Sequence, residues 1–213
     1  MDYQDFTDTF LMRLNRDDCT SAMAQYFITM GQAFLNSVLR IPAMEAILYS
    51  YPVTQTITNP VTQDVLTLTA VTQIALPDDF IAWNYLMADG RVLELATPHT
   101  LMGNWGFYLG TPQKYARIGA NVYIRPFAQY NITAVYYQQF TPLVNPTDSN
   151  FLTTSAIECL MYASLVKAAD HFRMDELPIW QQALDQQISV VNQLGIDADS
   201  SGGPMAVSMP YTF

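Results

Sequence analysis

An α+β fold is the class this sequence predicts, and three observations predict it. Apolar residues recur at spacings of three and four near both ends of the chain, and β-favouring residues replace them in the middle. Turn-forming pairs such as Asp89-Gly90 punctuate that middle stretch. The expected architecture is a helical bundle formed by the N- and C-terminal helices, with an inserted antiparallel β-sandwich or barrel-like region and an extended C-terminal arm. The divisions fall at residues 1–45, 46–146, 147–195 and 196–213.

Each element has its own signal. A short helix is expected over residues 5–15 and a long one over 20–40, with Asp17, Asp18 or Thr20 supplying the cap oxygen of the second. Met23, Phe27, Met30, Phe34, Val38 and Ile41 form its apolar stripe, Arg40 suits its C-terminal end, and Pro42 discourages continuation. In the insertion, Thr54–Thr58 and Val65–Val71 read as strands. Asp89-Gly90 joins Ile81–Ala88 to Arg91–Ala96, and Gly119-Ala120-Asn121 joins Lys114–Ile118 to Val122–Arg125. Asn131–Phe140 adds a further strand, and a helical turn capped by Thr97 is expected at Pro98–Gly103. The last zone holds two helices. Ile157, Leu160, Met161, Leu165, Ala168 and Phe172 face inward from the first, and Trp180, Leu184, Gln187, Ile188, Val191 and Leu194 from the second, with Gly195 as its stop.

Composition narrows function. Only 13% of the 213 residues are charged, against ~25% in ordinary globular chains, yet the balance is -10. The two lysines, Lys114 and Lys167, and seven scattered arginines form no basic stripe, which argues against tight nucleic-acid binding. No uncharged apolar run approaches the ~20 residues of a membrane span, and Met1-Asp-Tyr-Gln-Asp is unlike the basic, then apolar, start of a secretory signal. Cys19 and Cys159 are expected as free, buried thiols. Thirteen Tyr and eleven Met suit a subunit covered by neighbours, because such residues are enriched where proteins meet. The uncharged end of the chain fits that picture: Met205, Val207, Met209, Tyr211 and Phe213 are the expected partner-facing residues of a docking arm.

Candidate chemistry is sparse. The sequence has no phosphate-binding loop and no nucleophile elbow. His99 and His171 read as helix-end histidines, and Asp170, His171, Asp175 and Glu176 as a solvated corner without the spacing of a metal site. Asp78-Asp79 could imitate a carboxylate pair, and Tyr130, Tyr136 and Tyr137 a sugar-stacking strand. No catalytic residue, cofactor or metal is assigned.

Several short motifs occur in a telling order. Leu35-Asn36-Ser37-Val38-Leu39-Arg40-Ile41-Pro42-Ala43-Met44-Glu45 is followed by Leu76-Pro77-x-Asp79-Phe80, then by Asp89-Gly90-x-x-Leu93. Pro112-x-x-Tyr115 leads to Gly119 and Pro126, and next come Tyr136-Tyr137, Pro142-Leu143 and Asn150-x-Leu152. The helix pattern Leu160-x-Tyr162-Ala163-x-Leu165-x-x-Ala168 completes the set. In this order they resemble the tailed-phage head-to-tail adaptor, or connector, family of podovirus-like particles, over about residues 25–195. Ser37 departs from the Arg that the resemblance leads one to expect beside Asn36. The resemblance implies a structural, non-enzymatic virion subunit of the tail or neck, assembled in the host cytoplasm. Its implied partners are further copies of itself in a ring, read as a dodecamer, the portal protein, and tail nozzle or tail fibre proteins, with no membrane. DNA would pass through the lumen without specific binding. On that reading Asp170, Asp175, Glu176 and Asp185 are the candidate channel-facing carboxylates. Two other classes stay open: a carbohydrate- or receptor-binding virion module built on the β insertion, and a glycan hydrolase.

Overall fold

A computed structural model describes residues 1–58, 65–105, 108–127 and 129–200. The fold is α+β, with helices at both ends of the chain and mainly antiparallel sheets between them. The chain divides into two compact units, one of Met1–Met44 with Gln139–Phe213 and the other of Glu45–Gln138. We call them the helical unit and the β unit.

In the helical unit, α1 (Tyr3–Leu14) is capped by Asp2, whose carboxylate accepts from Asp5 N, and ends at Asn15 in the left-handed conformation. α2 (Ser21–Val38) starts at Thr20, whose hydroxyl accepts from Met23 N. Of the three cap candidates in the sequence, then, Thr20 does the capping. A 3-10 turn at Pro42–Met44 closes this first part of the unit. The returning chain forms α4 (Phe151–Thr154), α5 (Ile157–Phe172) and α6 (Leu177–Ser200). Asn150 caps α4 in a reciprocal box with Thr153.

Two details of the helix packing differ from the sequence expectation. The stripe on α2 is rotated: Met30 and Val38 are each 40% exposed, while Ala24, Phe27, Ile28, Gly31, Gln32 and Leu35 are buried. Close approach to α5 explains the rotation. A Cβ on Gly31 would lie 2.8 Å from Ser164 Oγ and 2.9 Å from Ser164 N, so only hydrogen fits there. Small residues admit the neighbouring helix, and a reading by hydrophobicity passes over them.

The second difference concerns Gly195, which does not end its helix; α6 continues to Ser200. A Cβ at Gly195 would stand 3.0 Å from Ile41 Cγ2 and 3.2 Å from Pro42 Cδ. The glycine therefore serves contact with the 3-10 turn. Leu184 and Val191 are buried as expected, but Leu194, expected inward, is 61% exposed.

A polar clamp holds the returning chain. Buried Gln32 donates through Nε2 to the carbonyls of Phe140 and Thr141, both at 3.0 Å. One turn on, Asn36 Oδ1 accepts from Phe140 N at 3.1 Å. Arg40 donates to the carbonyls of Asn36 and Leu39, which closes the C-terminal end of α2.

Among the described residues the β unit contains ten strands: β1 (Glu45–Ser50), β2 (Val53–Thr58), β3 (Val65–Ala70), β4 (Gln73–Ala75), β5 (Phe80–Ala88), β6 (Arg91–Val92), β7 (Glu94–Leu95), β8 (Lys114–Ile118), β9 (Asn121–Arg125) and β10 (Ile132–Gln138). They form a sheet in the order β1-β10-β5-β6, a ribbon of β2 and β3, and a sheet in the order β4-β9-β8-β7. The unit also holds α3 (Pro98–Trp105), with Thr97 Oγ1 accepting from Thr100 N. Leu86, Ala88, Ile132 and Ala134 of the first sheet share one core with Ile74, Tyr115, Val122 and Ile124 of the second. That is the sandwich arrangement.

The expected strand Arg91–Ala96 is split. β6 pairs with β5, then the chain crosses at buried Leu93 and β7 pairs with β8 of the other sheet. The β7–β8 pair is parallel, so the insertion is not antiparallel throughout. The two turns that separate the hairpin strands need positive φ, which Asp89 (47°), Gly90 (82°) and Gly119 (63°) supply. None of the described helices is long and apolar enough to cross a membrane.

Candidate functional site

Many residues of the ordered motifs have a structural task in their own unit. Asn36, Asn150 and Arg40 serve the clamp, a cap and a helix end, as above. Pro77 accepts through its carbonyl from Phe80 N at 3.1 Å, forming the turn that starts β5. Asp79 Oδ1 accepts from Tyr136 Oη at 3.3 Å, and Phe80 stacks on the Tyr136 ring at 5.9 Å. Leu93, Tyr115, Leu143, Leu152, Leu160, Ala163, Leu165 and Ala168 are buried. These motif residues are spread over caps, turns and cores.

The residues that could have carried chemistry are likewise dispersed. Tyr136 is buried with 7% exposure, so its ring face is not open to a sugar, and Tyr130 and Tyr137 are half-buried. His99 lies exposed on α3. His171, in the last turn of α5, meets the Phe27 ring at 5.4 Å and the Phe172 ring at 4.8 Å. Cys19 and Cys159 are free and buried, and burial pushes the Cys159 thiol up to about 11. Among the described residues no three of His, Cys, Asp and Glu come together as metal ligands would.

The expected channel-facing carboxylates gather more closely. Asp170, Asp175, Glu176 and Asp185 are all exposed on the helical unit, the first three at the end of α5 and its corner with α6, and Asp185 about two turns into α6. Arg173 turns that corner with φ 53°. Asp175 and Glu176 precede the N-terminal end of α6, and Glu176 O accepts from Trp180 N at 3.0 Å, a position where the helix dipole favours negative charge. Asp170 is different. It occupies the last turn of α5, where the dipole disfavours a carboxylate, so helix stability does not account for it. Asp185 lies further along α6 and lines a hollow with Lys167 and Phe34.

Two carboxylates join this end of the bundle that the sequence reading assigned to capping. Asp17 and Asp18 follow α1, and Arg16 spans the distance: its guanidinium sits 4.4 Å over the Phe172 ring and pairs with Asp18 at 2.7 Å. That hydrogen bond holds the Asp18 carboxyl below its usual range, with a further contribution from His171. Asp17, Asp18, Asp170, Asp175 and Glu176 thus share one end of the unit with Arg16, His171 and Arg173. The signal was present only as two separated acidic stretches. Nothing local announces that the α1–α2 turn lies beside the end of α5.

The expected arm residues Met205, Val207, Met209, Tyr211 and Phe213 lie outside the described residues.

No curated protein matches the chain. A family described as SU10 adaptor protein does match, over residues 1–208, which spans both units and all of the ordered motifs. On that coverage the chain belongs to the SU10 adaptor protein family, and a structural adaptor role in a phage goes with that membership.

Proposed function

We propose that the chain is the ring subunit of a virion neck, joining the portal to the tail and continuing the DNA channel. Family membership over residues 1–208 is the observation that carries this reading. The ring is read as a dodecamer, with the portal protein above it and nozzle or tail fibre proteins below. Its role is contact and shape, without catalysis or cofactor. The expected arm at 196–213 begins inside α6, which runs to Ser200, so the arm proper is residues 201–213, and it serves one of those contacts through Met205, Val207, Met209, Tyr211 and Phe213.

The charge of the subunit suits a conduit. A lumen lined with carboxylates repels phosphates, so a genome slides past without binding. Asp170, Asp175, Glu176 and Asp185 face that lumen or its rim; their exposure and the placement of Asp170 against its helix dipole support this. DNA has no specific binding site in the reading.

Electron microscopy of the purified chain mixed with portal rings is the test. A coaxial ring of subunits with an electronegative lumen is the expected image. In particles carrying Asp170→Asn, Asp175→Asn, Glu176→Gln and Asp185→Asn together, the ring should still assemble while DNA release slows. A subunit that neither oligomerises nor binds the portal would overturn the proposal, and normal release from the quadruple variant would remove the channel assignment.

A further inference from the structure

The helical unit has an apolar groove of about 220 Å³ between the 3-10 turn and α6, walled by Ile41, Pro42, Phe151, Val191 and Leu194. That is far more than the ~10–15 Å³ that seats one water, and no charged side chain lines it. Leu194, 61% exposed on its rim, leaves much of its apolar surface to solvent.

The chain's own continuation has the chemistry and the reach to cover it. α6 ends at Ser200, and residues 201–213 follow without a single charged side chain. Ser200 lies roughly 9 Å beyond Leu194 along the helix axis, at ~1.5 Å per residue. An extended chain returns over that distance in three or four residues at ~3.3 Å each. Gly202-Gly203-Pro204 supplies the turn chemistry for a reversal. A return after that reversal would bring Met205, Val207 and Met209, which alternate in the sequence, level with the groove.

We infer that in the free subunit residues 205–209 fold back into this groove of their own chain. Tethering favours the intramolecular partner, because so short a linker gives a high effective concentration. Taken with the adaptor reading on which this consequence rests, the groove stores the arm until a neck partner takes it, so assembly exchanges one apolar contact for another.

Hydrogen exchange on the full-length chain at low concentration tests this. The amides of residues 205–209 should exchange at least tenfold more slowly than in Ser155→Trp, whose indole would fill the groove from an exposed rim position. Leu194→Lys, a change at an exposed site, should release the segment as well. The protection should not vary with protein concentration. Exchange at free-peptide rates would overturn the inference; so would protection that grows with concentration, which marks docking on a second copy, and so would protection that both variants leave intact. Ring assembly is read separately by microscopy: a chain that forms rings, but whose free subunit leaves the tail unprotected, would sink this inference alone, and a protected tail on a chain that forms no rings would sink only the adaptor reading.

Discussion

The helical unit carries thirteen carboxylate side chains against five lysines and arginines, net -8, whereas the β unit carries six against four, net -2. Acidity that served solubility alone would be expected on both units. Its concentration on the helical unit is what the channel proposal draws on, whereas the β unit, nearly neutral, leaves apolar side chains exposed. β1 bears exposed Ile47 and Tyr49 on the edge of its sheet, and the ribbon strands β2 and β3 expose Val53 and Val65. Exposed apolar residues on strand edges invite pairing with another chain. The two units also close their interiors differently. Large apolar side chains from two sheets fill the β core, while the α2–α5 contact depends on residues with almost no side chain, Gly31, Ala163 and Ser164.

The largest expected effect breaks one unit and asks what the other does. Leu184 is 5% exposed on α6, so Leu184→Asp both truncates a core side chain and buries a carboxylate. The truncation alone costs about 2–5 kcal/mol, and the charge adds to it. Hydrogen exchange should show α2, α5 and α6 losing protection. If β5, β9 and β10 keep theirs, the units are separate cooperative bodies. Native exchange throughout would mean that Leu184 does not contribute to the core of the helical unit.

Much of this was readable in advance, and what was not has a common cause. Thr20 announces α2, and Asp89-Gly90 and Gly119 announce turns whose positive φ the structure displays. Each of these signals is local. Gly31 and Gly195 were opaque because the atoms they admit, on Ser164 and Ile41, belong to distant parts of the chain. Leu93 hid a change of sheet inside what reads as one strand. The acidic end was partly visible: Asp170, Asp175 and Glu176 stand out, but Asp17 and Asp18 read as caps until Arg16 is seen over Phe172. Local chemistry survives translation into sequence, and proximity across the chain does not.

Two glycines, one in each unit, sharpen the contrast. Gly31→Ala puts a Cβ within 3 Å of Ser164, backbone included, so α2 and α5 must separate, at about 1–3 kcal/mol for overpacking. Gly90→Ala meets nothing within 4 Å, and its cost is only the strain of φ +82°, about 1–2 kcal/mol. A melting temperature falls roughly 2–4 °C per kcal/mol in a chain of this size. The further expectation is compensation: Ser164→Ala, by removing the hydroxyl nearest the new methyl, should recover part of the Gly31→Ala loss and none of the Gly90→Ala loss. Equal recovery in both would show that the first substitution acts by strain, not crowding.

The smallest effect concerns pH, and it too should divide the units, because both cysteines lie in the helical one. Burial raises the Cys159 thiol from its ordinary 9.0 to about 11. The folded chain therefore keeps this thiol neutral where the unfolded chain ionises it. The stabilisation is complete below pH 9 and is lost progressively as pH rises from 9 to 11. At a pH of about 9.5 the loss is under ~1 kcal/mol. Denaturant titrations of the wild type and Cys159→Ala at pH of about 8 and 9.5 isolate it, since the alanine variant should lose less stability between the two. Cys19, raised by burial and by the Asp18 charge with Arg16 opposing, is the internal control, and Cys19→Ala should change the alkaline slope less. Alkaline loss of exchange protection should begin in α5, where Cys159 lies, before it reaches the cysteine-free β unit. A slope identical in all three proteins would mean that Cys159 is not held in the apolar interior on which the close α2–α5 contact depends.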